Sequence, residues 1–239
     1  LLIMHTDPID GNGTDIPAVI ETMCDTERCK VKFTNGKCDE KHLNYYYNLA
    51  DAQFMMTDNE GWGLSLTEGL MAGNMIIAPV QGGMQDQMRF EDEKGDWIEF
   101  STEFPTNSNG RYQKHGEWAI PMFGKTRSLK GSPPTPYIYA TQVDVEDAGL
   151  ALLSCYKLGR EEIQRKGLKG REWLQSDEAK MTASGMGQNF IDSLDTLFEN
   201  WKPIEKYTIE KVEDGHTTYN PHPVQYTPEF NQKLKEVLA

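Results

Sequence analysis

The chain has 239 residues, 38% hydrophobic, 26% charged and 10% aromatic, with a formal net charge of -13. That length holds one large domain or two small ones with a substantial core, and the composition is that of a soluble globular chain, not a disordered one. The acidic balance argues against a nonspecific nucleic-acid or anionic-membrane surface; no apolar run approaches membrane-spanning length, and the opening LLIMHTDPID lacks a basic leader.

Leu1 to Thr6 reads as a buried strand leaving through a polar turn, Asp7 to Gly13. It starts without an initiator Met, so the chain is read as a fragment of a longer protein. Asp15 to Met23 has helical spacing at Ile16, Val19, Ile20 and Met23, with Pro17 in the first turn. Val31 to Thr34 is the next strand, and Asn35-Gly36 turns it. Asp39 to Leu49 is a helix with Leu43, Tyr46, Tyr47 and Ala50 along one side. Cys24, Cys29, Cys38 and Cys155 include no C-x2-C pair, and with His42 they do not make a zinc spacing. They read as free thiols of a reducing cytoplasm, with a Cys24 to Cys29 bridge open for an extracellular source. His5, at a strand end, faces the same mouth as the turns below or is simply hydrogen-bonded, the commoner case for a lone His.

The strongest chemical signal runs from Ala50 to Gly83. Gln53 to Thr57 is strand-like, and Asp58-Asn59-Glu60-Gly61 breaks it with turn chemistry. Leu64, Leu66, Leu70 and Met71 give a helix an apolar face, Gly73-Asn74 closes it, and Met75 to Val80 is a second buried strand. Strand, helix and parallel strand imply a right-handed crossover. Glu60, Gly61, Trp62 and Gly63 then sit at the carboxyl end of a parallel strand, where open α/β sheets bind ligands. The glycines admit close backbone approach, and free amides near Gly63 to Ser65 suit phosphate. Glu60 and Glu68 flank that mouth as acceptors for sugar or ribose hydroxyls.

The run E60-GWGLSLT-E68 is an E-x7-E motif. With Tyr47, Ala50 and Asp51 before it and AGNMIIAP and Gly82-Gly83 after it, it resembles the nucleotide-sugar half of retaining GT-B glycosyltransferases of family 4. The resemblance covers Leu1 to about Trp201. It implies a Rossmann-like parallel sheet flanked by helices, with Glu68 on the donor ribose and Glu60 beside the transferred sugar as the catalytic candidate. Gly61, Trp62, Gly63 and Leu64 would meet sugar hydroxyls and phosphate, Gly82 and Gly83 would lie near the donor, and the loop holding Asn35 and Lys37 would lie against the base. It also implies an earlier strand with an Arg and a Lys on the diphosphate and a separate acceptor-binding N-terminal domain, neither of which this sequence contains.

After Gly83, Met84 to Phe90 reads as a short helix. Glu91 to Thr141 is longer than the family pattern and reads as an insertion, with strands at Trp97 to Phe100 and Glu117 to Pro121. It also holds a polar tip at Thr106 to Arg111, a Pro-rich turn at Gly131 to Pro136 and a basic group of Lys125, Arg127 and Lys130. Asp144 and Asp147 frame a capped helix burying Val145, Ala148, Leu152, Leu153 and Tyr156. Arg160 to Leu174 buries Ile163, Leu168 and Trp173, and Ala183 to Trp201 keeps Met186, Phe190, Leu194, Leu197 and Trp201 in register. Lys202 to Ala239 is a tail with one amphipathic end.

The expected activity is transfer of a sugar, from UDP or another nucleoside diphosphate, to an acceptor hydroxyl, by front-face displacement with no metal or further cofactor. The acceptor would be a carbohydrate or glycoconjugate. Two alternatives stay open: a module that binds nucleotide or a partner without turnover, and a phosphorylase or epimerase of the same architecture.

Overall fold

The computed structural model describes residues 1–11, 13–34, 36–99, 101, 104, 111–132 and 135–202. The chain divides into two units, Leu1–Leu194 and Asp195–Ala239. The first opens with β1 (Leu2–Met4), α1 (Ile16–Met23), β2 (Val31–Phe33) and α2 (Glu40–Leu49). Both helices start where short acidic side chains take up orphan amides: Asp15 accepts from Ala18 and Asp39 from His42. β1 and β2 pair in parallel, Leu2 opposite Val31. Neither α1 nor α2 buries a residue fully, so this part contributes little to the core.

The centre is β3 (Ala52–Phe54), α3 (Leu64–Met71), β4 (Met75–Pro79), α4 (Gly83–Gln87) and β5 (Ala119–Met122). β3, β4 and β5 form one parallel sheet, with Ala52 opposite Met75 and Ile76 opposite Ala119. All five residues of β4 are buried. Its alternation splits them between two cores, as a strand covered on both faces requires. Ile76, Ala78 and Val80 join Leu66, Leu70, Met84, Phe90, Trp118 and Trp173 on one face, whereas Met75 and Ile77 join Met122, Ala148, Ala151, Cys155 and Ile163 on the other. Trp118 and Trp173 stack at 5.0 Å, and Trp97 meets Trp173 edge-on. The fold is α/β, with parallel sheets flanked by helices.

β6 (Thr126–Ser132) and β7 (Thr135–Gln142) form an antiparallel hairpin. α5 (Val145–Leu158), α6 (Arg160–Leu174) and α7 (Ala183–Asn200) follow. Among the described residues no helix is long and apolar enough to cross a membrane.

Several expectations are corrected. Glu117 to Pro121 was expected inside a decorating insertion, yet β5 completes the central sheet and is framework. Trp97 makes only an isolated bridge to Glu91, not a strand, and Phe100 lies outside the described residues. α5 buries Ala148, Ala151 and Cys155, while Val145 and Tyr156 are about four-fifths exposed and Leu152 and Leu153 also face outward. Small side chains let that helix approach the sheet, and packing distance overrides side-chain size as the guide to its inner face. Asp144 makes no side-chain cap; its carboxylate pairs with Lys125 at 3.2 Å. Leu168 is exposed, with Gly167 and Gly170 buried in its place, and α7 buries no residue. The expected tip at 106–110, part of the Pro-rich turn at 133–134 and the tail from 203 onward lie outside the described residues.

Candidate functional site

Two turns leave the carboxyl ends of β3 and β4 and pack backbone to backbone. The first runs from Met55, whose amide donates to Ile77 at 2.9 Å, to Gly63. The second is Gln81-Gly82-Gly83. The side chain of Gln81, nearly inaccessible, donates to the Thr57 carbonyl, and the Gly83 amide donates to the Gly61 carbonyl at 3.1 Å. Contact at Gly82 is closer still, since a Cβ there would lie 1.8 Å from the Glu60 carbonyl oxygen. A Cβ on Gly83 would lie 2.6 Å from the Trp62 ring. Gly82 also holds φ 52° and Gly63 φ 84°, both in the region that disfavours side chains.

Gln87 locks the first turn from below. It is fully buried, and its Nε2 donates to the Trp62 carbonyl at 2.7 Å and the Gly63 carbonyl at 3.3 Å. Its Oε1 accepts from Thr67 at 2.9 Å, and the Thr67 hydroxyl in turn accepts from the Trp62 indole at 2.9 Å. Trp118 caps the set by donating to the Gln87 carbonyl at 3.0 Å. A closed network of this kind fixes one conformation of the Glu60–Gly63 turn.

Gly63 is the N-cap of α3, and the Leu66 amide donates back to it at 2.9 Å. The amides of Leu64 and Ser65 precede that first helical bond and belong to the orphan donors of a helix start. Leu64 itself is exposed, so it lines the rim and does not bury as the helical spacing suggested. Glu60 is half-buried in the turn and Gly61 is exposed. Glu68, one turn into α3, is exposed and accepts from the Tyr47 phenol at 2.6 Å. Burial first, and the Glu68 hydrogen bond second, push the Tyr47 phenol above its ordinary value, so it stays a donor.

Charge around the turns is mostly acidic. Lys130 of β6 pairs with Asp58, and the Thr141 amide of β7 donates to the Asp58 carbonyl at 3.3 Å, so the hairpin is anchored beside the mouth. Lys125 pairs with Asp147 at 2.7 Å as well as with Asp144. Asp86, in α4, is pushed up to about 6 by burial and then by the charge of Glu99.

The fold thus brings together Glu60, Gly61, Trp62, Gly63, Gly82 and Gly83, and places Leu64 and Glu68 on the adjoining helix. Lys37 is exposed on the β2–α2 connection, and among the described residues no hydrogen bond or ion pair joins it to the Glu60 turn. Asn35 lies outside the described residues. His5 follows β1: its Nδ1 lies 2.7 Å from the Thr34 hydroxyl and its Nε2 3.7 Å from the Cys38 sulfur. Sequence reading missed the parts of Thr67 and Gln87 and the hydrogen bond of Tyr47 to Glu68. The available signal was slight: Gln85 and Gln87 stand between the apolar Met84 and Met88, but Asp86 and Arg89 give the segment an ordinary polar look.

The arrangement offers carboxylates and carbonyls to hydroxyl donors, and backbone amides to an anion. Among the described residues no group of three or more His, Cys, Asp or Glu side chains is placed to hold a metal ion. The chain matches no protein-family model, and no curated protein matches it in sequence.

Proposed function

We propose that the chain is the donor-binding part of a retaining glycosyltransferase that uses a nucleoside-diphosphate sugar. The observation that carries the reading is the packed pair of glycine turns, with Glu60 in one and Glu68 one helical turn beyond. Motif order and backbone geometry support the same reading, since Glu60 and the amides at Gly63 to Ser65 share one rim.

On this reading Glu68 accepts hydrogen bonds from the ribose and Tyr47 holds its carboxylate in place. Glu60 meets the transferred sugar, and the amides at the start of α3 meet the phosphates. Reaction proceeds on the front face: the bond from the anomeric carbon to the diphosphate breaks, the acceptor hydroxyl attacks from the same side, and a phosphate oxygen takes its proton. The chain's own contribution is orientation and stabilisation of the departing charge.

A second reading, a module that binds nucleotide without turnover, is favoured by one observation. Lys125 and Lys130 are both engaged by carboxylates, which leaves less positive charge for a diphosphate. Calorimetry of this chain against UDP-, GDP- and ADP-sugars tests the shared part of both readings. One nucleotide is expected to bind with clear preference, and no heat with any of them would overturn both. Glycoside formation in the presence of acceptor sugars separates transfer from binding alone.

A further inference from the structure

The connection between β2 and α2 brings a thiol, an imidazole and a hydroxyl together at the carboxyl ends of β1 and β2. The Cys38 sulfur lies 3.7 Å from His5 Nε2, and His5 Nδ1 lies 2.7 Å from the Thr34 hydroxyl oxygen. The imidazole also rests against the Tyr46 ring, centroid to centroid 5.6 Å. Asp39, the nearest carboxylate in sequence, is occupied by the His42 ring and amide. The ring is therefore oriented from two sides with Nε2 turned toward sulfur. With the Thr34 hydroxyl as acceptor from Nδ1–H, the Nε2 lone pair faces the thiol.

A nucleophile beside a base that a third group orients is the arrangement that activates a thiol. We propose that Cys38 is a reactive thiol, with His5 as its base and Thr34 as the positioning residue, and that it takes low-molecular-weight disulfides as its co-reactant. In the step His5 Nε2 accepts the thiol proton while the Cys38 sulfur attacks one sulfur of the reagent. The reagent's S–S bond breaks, a new S–S bond joins Cys38 to one half, and the departing thiolate takes the proton. Cys38 is oxidised and the departing half is reduced, so the exchange balances.

Cys38 is only half-buried, so a small reagent reaches it, whereas Cys155 is buried in the core. Its adduct would sit one residue from Lys37 and alter the β2–α2 connection. The thiol chemistry stands apart from the sugar-transfer reading, and either survives failure of the other.

Cys24 and Cys29 are exposed and serve as internal standards. The native chain is treated with hydroxyethyl disulfide, a neutral reagent, at neutral pH, and each adduct is followed by mass spectrometry of its peptides. Cys38 is expected to react about tenfold faster than Cys24 or Cys29, below the range of a fully positioned catalytic base because the ring is solvated. H5Q, which keeps a polar group without the base, should bring Cys38 down to their rate. T34V should give an intermediate rate. Unchanged Cys24 and Cys29 rates and an unchanged melting midpoint show that each variant is folded; if H5Q melts early, T34V carries the comparison. Native Cys38 reacting no faster than the exposed pair overturns the proposal. So does a Cys38 rate unaltered by the variant that carries the comparison.

Discussion

The Tyr47 phenol donates to the Glu68 carboxylate at 2.6 Å, joining α2 to α3 one turn beyond its start, across twenty-one residues of sequence. The Tyr47 carbonyl is held separately, by the Asn74 side chain at 2.9 Å. Glu68 is therefore an exposed acid with a fixed position, the condition under which one carboxylate can serve as a ribose acceptor. Glu68→Ala should weaken nucleotide binding by about 1 to 3 kcal/mol, because ribose hydroxyls lose their acceptor. Tyr47→Phe should weaken it less, through lost positioning alone. Calorimetry on the two variants checks the order; equal nucleotide affinity in Glu68→Ala and the native chain would remove Glu68 from the site.

Glu60 is expected to act on turnover and not on grip. On the proposed reading, in an assay of glycoside formation, Glu60→Ala should lower kcat by a larger factor than it raises the donor Kd, as for a contact made chiefly as the reaction proceeds. Matching losses in both would place Glu60 away from the transferred sugar.

Gly82 and Gly61 make a paired test of how tightly the two turns fit. Gly82→Ala would drive a methyl group into the Glu60 carbonyl from a positive φ, whereas a Cβ on Gly61 meets nothing within 4 Å. The first should cost roughly 3 kcal/mol or more in urea unfolding and the second less than about 0.5 kcal/mol. Similar costs for both would mean that the turns are not in contact in solution.

Gln87→Met keeps the volume and removes the hydrogen bonds. It leaves the carbonyls of half-buried Trp62 and buried Gly63 without their side-chain donor, and the Thr67 hydroxyl without its acceptor. Destabilisation of about 2 to 4 kcal/mol is expected, together with faster amide exchange in residues 60–63. Unfolding at native denaturant concentration would show that the network contributes nothing.

Asp86 sets a pH dependence. Burial and the nearby Glu99 raise its carboxyl from 3.8 to about 6, and its Oδ1 is buried without a hydrogen-bond partner. Between those two values the folded chain keeps a proton that the unfolded chain releases, so stability falls as pH rises through the window and levels off above it. The loss is on the order of 1 to 2 kcal/mol, since the group is only part-buried and partly screened. Asp86→Asn should melt higher than the native chain above about pH 7 and at the same temperature below about pH 4. Parallel melting curves across that range would contradict the shift.

What the sequence made legible was what local pattern determines. MIIAPV reads as a buried strand because every residue of it is apolar, and Asp15 and Asp39 read as helix starts because their carboxylates reach amides three residues on. Leu64 misled because a periodic leucine at the first helical position can face a rim as easily as a core. α5 misled because Ala148, Ala151 and Cys155 are small, and the larger Val145 and Tyr156 drew attention to the wrong face. β5 was hidden inside a segment that looked inserted, since its pairing with β4 joins residues more than forty apart. Gln87 and the Tyr47–Glu68 bond depend on which elements meet, which no local pattern encodes.

The central claim is that the two glycine turns and the start of α3 grip a nucleoside-diphosphate sugar, and amide hydrogen exchange on this chain tests it residue by residue. With saturating donor, protection is predicted at residues 60–66 and 81–84 and little change along α5 and α6. Protection confined to other segments, or none at concentrations where calorimetry detects binding, would contradict it.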